Sequence, residues 1–199
     1  MKYLIKLLFN ILFVFLFIII ECNAHSLINN NSGFGSGFSH PILGLDHFLA
    51  MFGVGIWGAQ MGGRSIWSLP LSFPIIMCVG AIISIINIVL FSYVEEVIAL
   101  SVIIIGLLIL LKWKINEFIA ILIISVFAIY HGYAHGFELP RANDPTSFII
   151  GFVLSTGLIH LLGILVGYML GKIYNGKISR LLGGIISLLG IYFLFSFLI

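Results

Sequence analysis

Charge is what this sequence has least of. Only 8% of its residues are Asp, Glu, Lys or Arg, whereas a water-soluble domain carries about a quarter. So little polar surface cannot cover a globule in water, and the 61% hydrophobic content calls for a bilayer as solvent. The few basic residues are spread singly, without the clustered stripe that a nucleic-acid partner requires. Cysteine is scarce as well. Cys22 lies in a segment that reads as a leader, and Cys78 stands within an apolar run. A mature chain that keeps one cysteine forms no internal disulfide, so Cys78 reads as a small packed helix residue. A phosphate-cradling G-x-x-x-x-G-K-[ST] run is missing, and so is H-E-x-x-H. The first absence argues against ATP hydrolysis by this chain; the second removes the general base of that metallohydrolase motif.

What is present is a succession of apolar segments. Residues 1–24 have the form of a cleavable secretory signal: Lys2 and Lys6, an apolar core, then Ala24 with Cys22 two positions earlier as a cleavage site. Cleavage would make His25 the new N-terminus. Residues 25–39, rich in Gly, Ser and Asn, read as a flexible segment on the outer side. Six runs of spanning length follow, at about 41–62, 66–91, 97–111, 115–136, 147–171 and 178–199. The expected fold is therefore all-α: a transmembrane bundle of six helices over residues 25–199, with short connections between antiparallel neighbours.

Two signals orient that bundle. A secretory leader puts residue 25 outside. The inner connections then hold Arg64, Lys112, Lys114, Lys172, Lys177 and Arg180, and of the basic residues in loops only Arg141 falls outside. Both mature termini are expected on the outer side. Gly58 and Gly62, then Gly163, Gly167 and Gly171, recur at helix-contact spacing. They read first as packing positions within the bundle and second as a route to oligomers. Gln60 and Asn87 read as interhelical hydrogen-bonding groups.

The chemistry concentrates in two clusters. His40, Asp46 and His47 open the first span, with Pro41 suited to a first helical turn. A separation of seven residues, close to two turns, puts both imidazoles on one face. Asp46 can ligate an ion or orient the neighbouring imidazole. His131, His135 and Glu138 end the fourth span, each about a turn from the next. The first span runs inward and the fourth outward, so both clusters sit at similar depth from the same side. His160 lies near mid-bilayer in the fifth span, as a relay ligand or as a helix-to-helix hydrogen bond. Ionisable groups in a membrane mark a site by default. Imidazoles with few carboxylates suit Ni²⁺, Co²⁺ or Zn²⁺ better than Mg²⁺ or Ca²⁺. The candidate metal ligands are thus His40, Asp46, His47, His131, His135, Glu138 and His160.

At these residues the sequence resembles the HupE/UreJ family of bacterial membrane proteins. The likeness runs through Gly37-Phe38-Ser39-His40-Pro41, Gly44-Leu45-Asp46-His47-Phe48-Leu49-Ala50-Met51, Gly62-Gly63-Arg64 and the block from His131 to Pro140. The resemblance implies a secondary permease of the bacterial inner membrane for Ni²⁺, or Co²⁺ in some members, that supplies metalloenzyme maturation. It implies no catalysis and no prosthetic group, the metal being cargo. Two other classes fit the residues. One is an intramembrane metal-dependent hydrolase, with Glu138 or Asp46 as base. The other is a metal-binding accessory protein without transport.

Overall fold

The computed structural model describes residues 33–87, 89–138 and 144–198. The expected leader at 1–24, with Cys22, and His25, the expected new N-terminus, lie outside that range. The described residues form helices α1 (Phe34–Leu43), α2 (Leu45–Met61), α3 (Ser65–Ile85), α4 (Val94–Leu110), α5 (Glu117–Glu138), α6 (Pro145–Lys172) and α7 (Lys177–Leu198), with a short 3₁₀ turn before α7. The protein is an all-helical, multi-pass membrane protein. By length and composition α3, α5, α6 and α7 are each able to cross a bilayer, and the bent pair α1 and α2 is long and apolar enough only when taken together, as a broken span or a re-entrant pair. Outward faces carry large apolar side chains such as Leu71, Ile75, Leu161 and Leu188, as lipid contact demands. Trp67 and Trp113, both exposed near helix ends, suit the membrane interface.

The expected six spans differ from these helices in two places. The fourth element, α4, has 17 residues, about 25 Å at 1.5 Å per residue, and falls short of a full crossing by length alone. The first span is not one straight helix. It begins at Phe34, within the stretch expected to be flexible, and bends by 78° between Leu43 and Leu45. Pro41 therefore sits inside α1 and not in a first turn. A proline there removes one i→i−4 hydrogen bond, and the helix ends three residues later, where Gly44 takes an extended conformation (φ −74°, ψ 94°). The two histidines are thus not brought together by two turns of one helix.

Helix α2 is the centre of the bundle. Its residues from His47 to Gly58 are buried without interruption, because α3, α4, α6 and α7 all pack on it. Close approach is set by glycine. A Cβ at Gly163 of α6 would collide with the Phe52 carbonyl of α2, and one at Gly132 of α5 would collide with the Met77 carbonyl of α3. Gly58 and Gly167 likewise face neighbouring helices, whereas Gly62 and Gly171 meet nothing within 4 Å. Three of the five expected small residues therefore serve packing within the chain. The C-terminal carbonyls of α4 are satisfied from neighbouring helices. Gln60 donates to the Ile109 carbonyl (3.3 Å) and to Ser179 Oγ (2.8 Å), and Arg180 donates to the Leu110 carbonyl (2.7 Å). Just beyond α4, Trp57 Nε1 donates to the Trp113 carbonyl (3.0 Å). Gln60 plays the interhelical part expected of it. Asn87 does not: it lies exposed in the turn after α3 at positive φ. Cys78 is exposed on α3 rather than packed, since it falls on the helix face opposite Met77 and Gly80.

Candidate metal-handling site

The break at Gly44 builds the site. It lays α1 across the N-terminal end of α2, so His40 comes from α1 while His47 comes from the first turn of α2. Their rings stand 6.5 Å apart, centroid to centroid. From α5, held against α3 through Gly132, His131 and His135 reach the same place. His135 lies 5.0 Å from His40 and 4.6 Å from His47, and His131 lies 5.0 Å from His47. The four imidazoles therefore form one connected chain in the order His40, His135, His47, His131. Phe148 and Phe152 of α6 close its side, Phe152 at 4.5 Å from the His135 ring. His47, His131 and His135 are buried and His40 half-buried; imidazoles walled by aromatic rings sit in a low-dielectric environment, where any ion they take up is held by few but strong contacts.

Each hydrogen bond around the cluster fixes a tautomer. Asp46 Oδ1 accepts from the His47 backbone N–H (2.7 Å) and from His47 Nδ1 (2.8 Å). Asp46 thereby orients the imidazole, the second of the two roles open to it. His131 Nδ1 donates to the Phe127 carbonyl at 2.9 Å, which leaves its lone pair on Nε2. That Nε2 is buried and has no hydrogen-bond partner among the described residues. A carbonyl behind Nδ1 and a bare Nε2 in front is how metal-ligating histidines are set up. Among the described residues no three His, Cys, Asp or Glu side chains already stand as a finished ion cage. The rings meet at steep angles instead, 54° to 85° within the chain.

Comparison with known proteins identifies the chain. The family model described as HupE / UreJ protein matches residues 13–193. This protein belongs to the HupE/UreJ family. A relative named Protein HupE, from Rhizobium leguminosarum bv. viciae, is 38% identical over 156 residues, which is 78% of this chain and 81% of the relative. No solved structure matches. Family membership and the helical bundle together make this HupE/UreJ member a metal-handling membrane protein.

Of the expected ligands, His40, Asp46, His47, His131 and His135 converge. Glu138 ends α5, and its side chain lies outside the described residues. His160 sits apart from the four, on α6, buried and with Nδ1 donating to the Thr156 carbonyl (2.8 Å). Two residues were missed. Glu95, in the first turn of α4, is close enough to His47 and Asp46 to feel their charge. The signal that could have found it is the acidic first turn of α4, Glu95 with Glu96. Phe73 of α3 touches His131 and His160 alike. One phenylalanine among many apolar neighbours carries no such signal.

Proposed function

We propose that this protein is a secondary permease that moves a divalent transition metal, Ni²⁺ first and Co²⁺ next, inward across the bacterial inner membrane to supply metalloenzyme maturation. The observation that carries the reading is the chain of four imidazoles contributed by three helices, α1, α2 and α5, with a buried Nε2 on His131 that has no hydrogen-bond partner among the described residues. A buried acceptor without a donor costs about 1–3 kcal/mol, and a cation recovers that cost. Nitrogen donors with one orienting carboxylate fit a borderline ion better than a hard one. Rings that contact one another without a finished cage suit a passing cargo, which must bind and also leave.

In this reading the leader is removed after Ala24 and both mature termini face the periplasm, so the cluster opens outward. His40, His47, His131 and His135 capture the ion, Asp46 orients His47, Glu138 and Glu95 draw cations to the mouth, and His160 receives the ion further in. The cargo is held transiently, and no prosthetic group takes part.

Uptake of radioactive nickel into proteoliposomes tests this, with His47→Ala and His131→Ala beside the parent chain. Saturable uptake that both variants lose is the expected result. Binding without flux in the parent chain would move the protein to an accessory role, and full uptake in both variants would make the clusters structural.

A further inference from the structure

The contact chain continues beyond His131. The Phe73 ring is fully buried and lies 5.3 Å from the His131 ring on one side and 5.6 Å from the His160 ring on the other. Three helices thus contribute one ring each: α5 gives His131, α3 gives Phe73 and α6 gives His160. The two imidazoles are prepared alike. Each donates Nδ1–H to the carbonyl four residues earlier, and each keeps a buried Nε2 with no hydrogen-bond partner among the described residues. Purely structural buried histidines use both ring nitrogens, because an unmet buried acceptor is destabilising. Here two such acceptors flank one ring that has nothing to offer either of them.

We propose that His160 is a second, separate station for the same transition-metal ion, and that Phe73 is the gate between it and the outer four-histidine cluster. This rests on the permease reading above. Phe73 binds nothing itself: it acts through its two neighbours, as a positioning residue. With the ring in place, an ion among His40, His135, His47 and His131 is shielded from His160. Rotation of one side chain would let the His131 and His160 donors be offered to the ion in turn. A small side-chain movement then does what larger transporters achieve by moving whole helices. Ser155 and Thr156, buried on the turn before His160 with hydroxyls that lack a partner among the described residues, add oxygen donors beside the inner station.

The test is accessibility, which does not require transport. In a Cys78→Ser background, His160→Cys is probed with a membrane-impermeant cationic methanethiosulfonate, in vesicles of either orientation. With Phe73 present, labelling from the side of the four-histidine cluster should be slow. Adding Phe73→Ala should raise that rate by at least about tenfold, equivalent to about 1.4 kcal/mol off the barrier to entry. Phe73→Leu, which keeps most of the volume, should give a smaller rise. Labelling from the opposite side should stay unchanged. No rise with Phe73→Ala, or an equal rise from both sides as a loosened fold would give, overturns the gate. Nickel uptake by the parent chain, measured in parallel, reports on the permease reading alone: flux with no change in accessibility removes only the gate.

Discussion

At the scale of single residues, the site depends on which ring nitrogen each histidine offers. His131 settles this with a backbone carbonyl and His47 with a carboxylate, since Asp46 Oδ1 accepts both from the His47 backbone N–H and from Nδ1. An Asp46→Asn chain keeps the shape but loses the charge that makes the imidazole a better donor. Loss of such an orienting partner costs about 10–100-fold in metal affinity. Isothermal titration with Ni²⁺ should therefore show Asp46→Asn weakened within that range while its elution volume in detergent stays that of the parent. An unchanged affinity would demote Asp46 to a helix-capping role. The choice between ligand and orienting group could not be made from sequence. Adjacent residues on a helix point in different directions, and only the turn at Gly44 swings Asp46 back onto its neighbour's ring. A similar local effect is seen at Asp144, exposed at the start of α6, where hydrogen bonds from Ser147 hold the carboxyl below the usual carboxylate range.

At the scale of elements, the depth argument was legible and the helix geometry was not. Opposite directions for the first and fourth spans, with histidines near the same end of each, are enough to predict that the clusters meet. The bend was hidden because Pro41 admits two readings, a first turn or an interior position, and the flanking Gly-rich stretch favours the former on composition. Packing against α6 decides otherwise. At Gly37 of α1 a Cβ would collide with the Phe148 carbonyl, so the Gly-Ser-rich stretch is helical because it is docked there. The seam between α3 and α5 can be tested directly. Gly132→Ala should destabilise the protein by about 1–3 kcal/mol, the usual cost of overpacking, and should lower metal affinity because His131 moves with it. Gly157 meets nothing within 4 Å, so Gly157→Ala should be neutral or stabilising by up to about 1 kcal/mol. Thermal unfolding in detergent, read side by side, checks both. Equal effects at the two positions would mean that helix propensity, and not contact between α3 and α5, governs the response.

At the scale of the whole molecule, composition alone was enough to place the chain in a membrane, because an 8% charged sequence leaves no alternative. Which helix would occupy the middle was not readable. A central helix and a peripheral one are equally apolar when the surrounding solvent is lipid, so hydropathy does not separate α2 from α7. The glycines do distinguish them, but only once their partners are known. The central place of α2 also has a bearing on how the protein is made. The ribosome releases α2 near the beginning of synthesis, yet its buried run from His47 to Gly58 is covered by segments that emerge later, up to α6 and α7. Until then the first histidines wait in the bilayer with neither their aromatic wall nor the imidazoles of α5. Chains ended after residue 138 should therefore insert with their first helices intact and still fail to retain nickel on a filter, whereas chains that also include α6 should begin to hold it. Nascent molecules would stay blind to the ion until the wall is complete, so a half-made protein could not trap a metal ion.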